Sequence, residues 1–247
     1  MGQRIGRRSS DVATVNIAYA RYVDTVNTRP YDGRSVTTTT PGTPERKRKN
    51  AYHHGNLRQA LIDQAVRTIR DHGVDALTLR EVGAKLRVSR TALYRHFADK
   101  QALLAAVATE GFRELAKALQ DAWEAAGRGR AGFEAQGRAY VRFAVARPSH
   151  YHVMFGGFVA DESCDPALAR EGKSAFGALV AALTELQETG HARPEPPEQL
   201  ALFAWASVHG LARLAIDGQL PGPPAPSIEQ LTAFSVARVA DALGVRA

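Results

Sequence analysis

The sequence predicts an all-α protein, and three observations support this fold class. Apolar residues recur at spacings of three and four along most of the chain, which is the period of an amphipathic helix. No segment sustains the alternation of apolar and polar residues that marks a strand. Gly and Pro separate the helical segments from one another, and there is no repeat at a fixed period.

The first clear helix is predicted from about Asn56 to His72. Gly73 follows it and is a typical residue for the end of a helix. The apolar stripe of this helix repeats every four residues and consists of Leu57, Leu61, Ala65 and Ile69. A stripe of this kind predicts a helix that supports other helices through one face.

Two short helices and a long one are predicted next, and each has a capping residue. Thr78 and Glu81 have the spacing of a capping box, which predicts a helix over "LREVGAKL". Ser89 can cap a third helix over "RTALYRHF", and Asp99 can cap a long fourth helix. Two short helices joined by about four residues, after a supporting helix, are the parts of a helix-turn-helix.

The chain beyond residue 127 is predicted to form further helices with loops rich in Gly and Pro between them. The separating segments are "GRGR", "RPSH", "GGFVADESCDP", "TGHARPEPP" and "DGQLPGPPAPS". The predicted helices lie at roughly 131–147, 149–156, 166–189, 197–217 and 227–243.

Charge is distributed unevenly over the 247 residues, whose formal net charge is +7. Residues 1–50 carry a net +6, residues 51–110 carry +3, and residues 111–247 carry −2. A positive N-terminal part favours a polyanion as its partner. The alternative is that a basic tail is only solvated.

Residues 1–50 are rich in Thr, Pro, Gly and charge and show no helical period, so we expect a poorly ordered basic arm. The alternative is a start-site artefact, since a chain that begins at Val36 loses little that looks foldable.

The sequence contains no run of about 18 apolar residues and no signal peptide pattern, and it has a single cysteine, Cys164. These features favour the reducing cytoplasm.

The stretch "VSRTALYRHF" at 88–97 divides into two faces when it is placed on a helix. The apolar face consists of Ala92, Leu93 and Phe97. The opposite face carries Arg90, Thr91, Tyr94, Arg95 and His96. A second short helix of this kind enters the major groove of DNA with its N-terminal residues near base edges.

Each polar residue of that face suits a different DNA group. Arg90 can pair in a bidentate manner with guanine, and Thr91 can touch a base or a thymine methyl. Tyr94, His96 and Lys100 offer donors for phosphate oxygens, which position the helix without reading sequence. The arrangement predicts a DNA-binding unit.

The segment "TLREVGAKLRVSRTALYRHFADKQALL" closely resembles the TetR family of bacterial transcriptional regulators. The resemblance implies a dimer, with a DNA-binding head at 51–100 and a ligand-binding and dimerisation body at 101–247. It departs at Arg87, where the family often has Gly in the turn. The expected DNA contacts are Arg80, Ser89, Arg90, Thr91, Tyr94, Arg95, His96 and Lys100.

Two body segments, "FAWASVHGLARLAIDG" at 203–218 and "RPSHYHVMFGG" at 147–157, are similar to a Trp-His-Gly subgroup of the same family. The apolar stripes of the last two helices are expected to form a dimer interface, with the alternative that they only fill the core. The expected interface residues are Leu202, Leu231, Phe234 and Val239. The candidate ligand-binding residues are Phe112, Tyr140, Phe143, Tyr151, His152, Met154, Phe155, Phe176, Trp205 and His209.

No cluster of charged residues stands out in the body, which favours a neutral or apolar ligand. We expect no cofactor. We also expect no metal, because His150 and His152 lie about 200° apart on a helix and cannot easily share an ion. The sequence thus predicts a ligand-responsive dimeric repressor that binds a palindromic operator. Repression of transcription is favoured over activation. The alternatives are a ligand-independent DNA-binding protein or, since no catalytic motif is found, less plausibly an all-α enzyme.

Overall fold

The computed structural model of the protein describes residues 57–159, 165–222 and 226–246. Within these ranges the chain forms nine helices and no strand, which confirms the predicted fold class. The predictions about the arm at 1–50 and about Cys164 lie outside the described residues. The helices are α1 Leu57–His72, α2 Leu79–Leu86, α3 Arg90–Tyr94, α4 Lys100–Ala125, α5 Gly129–Ala146, α6 Pro148–Phe155, α7 Pro166–Glu188, α8 Pro197–Ile216 and α9 Ile228–Ala242.

The predicted capping residues begin the helices of the head. The Thr78 hydroxyl accepts a hydrogen bond from the Glu81 backbone N–H at 3.1 Å, at the start of α2. Ser89 does the same for Ala92 at 3.2 Å, at the start of α3. Each such bond satisfies a backbone donor that the first turn of a helix leaves open.

Helix α3 is shorter than the sequence predicted, because it ends at Tyr94 instead of continuing to Phe97. A turn at Arg95 and His96 follows, in which the Phe97 N–H still donates to the Leu93 carbonyl at 3.2 Å. The turn places Phe97 in the core, where it is almost fully buried. Burial of this ring thus fixes the position of the chain after α3.

Helix α4 connects the head to the body and packs against α1, α5, α6 and α7. Gly111 lies where α4 meets α6, and a Cβ atom at this position would overlap the sulfur of Met154. The absence of a side chain at Gly111 therefore allows the two helices to approach closely. The backbone of α4 therefore lies directly against the Met154 side chain of α6 at this point.

The body is built around α5, which packs against α4, α8 and α9, while α7 packs against α4 and α8. Among the described helices, α8 alone is long and apolar enough to cross a membrane, by length and composition. Helices in the core of a bundle satisfy the same criterion, and α8 contacts α5, α7 and α9.

Candidate functional site

The polar side chains predicted to face DNA lie together on the outside of the head. Tyr94 is 55% exposed, although it is a large aromatic residue that would normally be buried at least in part. Leu93 of the same helix is buried, which holds α3 against the head. The exposed residues of this surface are Arg90, Thr91, Tyr94, Arg95 and His96.

The turn between α2 and α3 keeps a conformation that usually favours glycine. Arg87 has φ 56° and ψ 37°, and its N–H donates to the Ala84 carbonyl at 3.1 Å. A non-glycine residue in this left-handed region costs about 1 kcal/mol. The exposed guanidinium group of Arg87 adds a positive charge at the turn. The departure from glycine thus leaves the turn intact.

Gly83 of α2 is required by the packing of α3. A Cβ atom at Gly83 would lie 2.8 Å from Cδ1 of Leu93, which is closer than such atoms approach in proteins. Leu93 is nearly fully buried, so its side chain has little room to move. The position of α3 therefore depends on the missing side chain at Gly83.

The head carries further basic side chains that are exposed or half-buried. Arg80 is exposed on α2. Lys100 is half-buried, and its ammonium group donates to the Asp75 carbonyl at 3.3 Å, which leaves it two other donors. The guanidinium of Arg58 lies 5.2 Å from the ring centre of Phe97, at the distance of a cation–π interaction. Sequence reasoning missed Arg58, although its place in the first turn of the supporting helix was a usable signal.

A narrow cavity lies in the body between α4, α5, α7, α8 and α9. Its volume is about 40 Å³, within about 540 Å³ of space between the lining atoms that extends to the solvent. The wall contains no ionisable group other than the phenol of Tyr140. The lining residues are Leu115, Leu119, Phe133, Gln136, Gly137, Tyr140, Ala175, Leu179, Ala204, Trp205, Val208, Val236 and Val239.

Gln136 is the one amide side chain on this wall, and it is 2% exposed. Neither its Nε2 nor its Oε1 atom has a hydrogen-bond partner. A buried polar group without a partner costs on the order of 1–3 kcal/mol. Sequence reasoning did not select Gln136, although a polar residue four positions before Tyr140 on an otherwise apolar helix face was a signal for it.

A hydrogen-bonded aromatic cluster adjoins the cavity. Nδ1 of His209 lies 2.9 Å from the hydroxyl of Tyr140 and 2.8 Å from that of Tyr151. The indole N–H of Trp205 donates to the Tyr140 hydroxyl at 3.0 Å. Burial, together with the positive charge of Arg213, lowers the pKa of His209 to about 4. The imidazole is therefore neutral at pH 7, and its Nδ1 can accept a hydrogen bond from one phenol at a time.

Glu110 of α4 connects the head with the body. Its Oε2 accepts a hydrogen bond of 2.6 Å from the amide of Gln59 on α1. Its Oε1 lies 3.3 Å from Nε2 of His150 on α6. His150 is buried, and its Nδ1 has no hydrogen-bond partner. One carboxylate of α4 thus contacts side chains of two other helices, α1 and α6, at the junction.

Comparison with known proteins agrees with this geometry. Residues 61–107 match the model for bacterial regulatory proteins of the tetR family, and residues 133–239 match the tetracyclin repressor-like C-terminal domain. The chain belongs to the TetR family of transcriptional regulators. The matched residues include all of α2 and α3 in the head and most of the cavity wall in the body.

Individual relatives of this TetR-family chain match over short segments. An uncharacterised HTH-type transcriptional regulator of Mycobacterium tuberculosis is 41% identical over 73 residues, which are 30% of each chain. The class D tetracycline repressor of Escherichia coli is 40% identical over 53 residues, 22% of this chain and 24% of the repressor. The matches thus span less than a third of these relatives' own length.

A solved structure of a protein with unknown function from Rhodococcus sp. RHA1 is similar over head and body. It is 35% identical to this chain, with a TM-score of 0.71. The match covers 79% of this chain and all of the other chain. The helical body of the TetR-family chain is therefore shared with that protein.

The residues predicted for the dimer interface separate into two groups. Phe234 is 65% exposed, Leu202 is also exposed, and Leu231 is half-buried. Val239 is only 7% exposed and lines the cavity, so it faces the interior of its own subunit. Val239 therefore does not belong to the exposed apolar surface of α8 and α9. The exposed apolar residues Phe203 and Leu214 of α8, which the prediction omitted, lie on the same two helices.

The residues predicted for the ligand also separate into groups. Tyr140 and Trp205 line the cavity. Tyr151 and His209 reach Tyr140 through hydrogen bonds but are not on the wall. The others also lie off the wall; these are Phe112, Phe143, His152, Met154, Phe155 and Phe176. His152 is half-buried, and the other five side chains are buried.

Proposed function

We propose that this TetR-family chain is a cytoplasmic, dimeric repressor that binds a palindromic DNA operator and is released by a small molecule. The observation that supports this proposal most directly is the exposed polar face of α3, in a head that carries further basic groups. The cavity in the separate helical body supports the response to a ligand. The similarity of part of the chain to a tetracycline repressor supports repression over activation of transcription.

In this proposal α3 lies in the major groove. Arg90 and Thr91, at the N-terminus of α3, read base edges. Tyr94 and Lys100 contact phosphates, with the other basic groups of the head adding positive potential. Two such helices in a dimer are about 34–36 Å apart, so that they reach half-sites one helical turn from each other.

The dimer forms through exposed apolar side chains of α8 and α9. Phe203 is 50% exposed and Phe234 is 65% exposed, although large apolar residues are normally buried. Pairing of α8 and α9 with the same helices of a second copy would remove these side chains from water. The surface proposed for the dimer consists of Leu202, Phe203, Leu214, Leu231 and Phe234.

The ligand acts by shifting the population of dimer conformations. Helices α4 and α5 both line the cavity, and α4 also contacts α1 of the head. Expansion of the cavity would displace α4, and the Glu110 contacts with Gln59 and His150 would transmit the movement to α1 and α6. The altered spacing of the two heads then no longer fits the operator.

The experiment that tests the DNA interface begins with selection of the operator from random DNA by the purified full chain. We expect Arg90→Ala to lose about 1–3 kcal/mol of binding free energy on the selected operator and to relax base preference. The control is Arg142→Ala, which removes an exposed arginine from the body and should bind as the wild type does. Unchanged affinity and selectivity of Arg90→Ala would refute the groove assignment.

A ligand-independent DNA-binding protein is the alternative. It would bind the same operator, but no compound that enters the body would change the affinity for DNA. Titration of the protein–operator complex with compounds that bind the free protein therefore separates the two functions.

A further inference from the structure

From the cavity wall we infer that the effector is an uncharged, largely apolar small molecule with one hydroxyl or amide group, and that Gln136 binds this group. The inference rests on the proposed ligand response and specifies the chemistry of its ligand. Gln136 carries it, because this buried amide has no hydrogen-bond partner on either polar atom and lines the cavity.

The wall excludes a charged ligand. An ion that enters an apolar cavity loses its hydration, and this loss must be compensated by an opposite charge or by several hydrogen bonds. The wall offers no Lys, Arg, His, Asp or Glu side chain. His209 lies behind Tyr140 and is neutral at pH 7, so it provides no positive charge for an anion.

The Gln136 amide determines the polar group of the ligand. It presents N–H donors and a carbonyl acceptor side by side. A hydroxyl group or an amide can both donate and accept, so either one can satisfy the two atoms of Gln136 together. The other polar side-chain atoms on the wall are the Tyr140 hydroxyl and the indole nitrogen of Trp205, which bind each other, and the hydroxyl also binds His209. Among the described residues of the wall, Gln136 is therefore the side chain that can form a new hydrogen bond with a ligand.

Apolar side chains from several helices complete the site. Leu115, Phe133, Leu179 and Val208 contribute contact surface without hydrogen-bonding groups. An apolar body with one polar group matches the usual composition of a small-molecule site, in which few polar atoms fix the orientation. The volume of about 40 Å³ means that a ring-sized ligand has to displace these side chains.

A series of probes of one size tests the inference: benzamide, benzyl alcohol, toluene and benzoate. Binding to the purified full-length protein is measured by ligand-observed NMR in the absence of DNA. We expect benzamide and benzyl alcohol to bind more tightly than toluene, and benzoate not to bind. Benzoate binding as tightly as benzamide would overturn the inference, and so would failure of all four probes to bind.

The variant Gln136→Leu replaces the amide by an apolar group of similar size. We expect roughly tenfold weaker binding of benzamide and unchanged or tighter binding of toluene. We also expect the melting temperature without ligand to rise by a few degrees, because the unpartnered buried amide is gone. Equal benzamide affinity in the wild type and the variant would show that Gln136 only holds water, and would overturn the inference.

Two further variants serve as a substitute and as a control for this test. Gln136→Met keeps a flexible chain of similar length and removes the amide, so it repeats the comparison if Gln136→Leu does not fold. Gln199→Leu changes an exposed glutamine of α8 and should leave all probe affinities unchanged. Operator binding is measured separately on the same preparations. Loss of probe selectivity with intact DNA binding refutes the ligand chemistry, whereas failure of the wild type to bind any selected DNA refutes the proposed function.

Discussion

The head and the body differ in how they treat polar groups. The head presents its arginines, Tyr94 and His96 to water, and all buried polar atoms without partners among the described residues lie in the body, on Gln136 and His150. A polyanion brings its own charge to an exposed surface, so the head needs no concealed site. A small uncharged molecule gains affinity from exclusion of water, so its site must be buried. The exposed charged surface of the head therefore suits the proposed DNA partner, and the buried uncharged cavity of the body suits the proposed ligand.

The largest expected effect comes from a substitution that disrupts the head and leaves the body intact. Gly83→Val places a branched side chain against Leu93, and overpacking of this kind costs about 1–3 kcal/mol. Because α3 is displaced, we expect operator affinity to fall by up to about 100-fold, while probe binding in the body is retained. Gel-shift titration and ligand-observed NMR on the same preparation measure the two effects.

The control for this variant is Gly177→Ala, since a Cβ atom at Gly177 in α7 meets no other atom within 4 Å. It should bind the operator as the wild type does and gain up to about 1 kcal/mol of helix stability. Normal operator binding by Gly83→Val would show that the position of α3 does not depend on Gly83.

The second prediction concerns the body and uses pH. The pKa of His209 is about 4 in the folded chain, against an ordinary value of 6.5, so the unfolded chain binds the additional proton between these values. Stability therefore falls as the pH drops from about 6.5 to about 4, by about 3 kcal/mol for this residue. Burial followed by the charge of Arg213 lowers the pKa of His152 as well, which adds a loss of the same sign.

Urea unfolding at pH 7 and at pH 4.5 measures this loss. The variant His209→Gln keeps a hydrogen-bond acceptor for the two tyrosines but cannot take up a proton in this range. We expect its stability to depend less on pH than that of the wild type, with the contribution of His152 remaining. An identical pH dependence in the two proteins would contradict the role of His209.

The smallest expected effect concerns Arg87. Replacement by glycine relieves the left-handed backbone and should stabilise the fold by up to about 1 kcal/mol, reduced by the greater freedom of glycine in the unfolded chain. If the guanidinium contacts a phosphate, operator binding weakens and the slope of log K against log salt falls by about one. Arg87→Lys keeps the charge and the strain, so equal salt slopes for the glycine and lysine variants would exclude the phosphate contact.

The sequence predicted the head in more detail than the body because the head depends on local signals. Thr78, Ser89 and Asp99 are capping residues whose effect extends over one helical turn, and each begins a helix where the sequence placed it. The end of α3 was misplaced because Phe97 is drawn into the core by contacts distant in sequence. Tertiary packing therefore limits how accurately even a regular local pattern predicts the end of a helix.

The body helices were also predicted close to their observed bounds, but the cavity was not. Aromatic residues such as Phe155 and Phe176 have the same helical spacing whether they line a cavity or fill a core. Which of these occurs depends on the relative rotation of five helices, and a single sequence contains no measure of that rotation. Val239 was predicted to lie in the dimer interface but lines the cavity. This prediction also depended on a helix rotation that the sequence does not specify.

The narrowness of the cavity has a consequence for the kinetics of the response. A ring-sized molecule cannot occupy about 40 Å³ until the helices around it separate. Ligand entry is then limited by the opening motion of the body, and at high ligand concentration the rate of binding becomes independent of concentration. Exit of the proposed ligand would require the same motion, so its complex with the protein would be long-lived. Such a regulator would respond to sustained exposure to its ligand and would be insensitive to brief pulses.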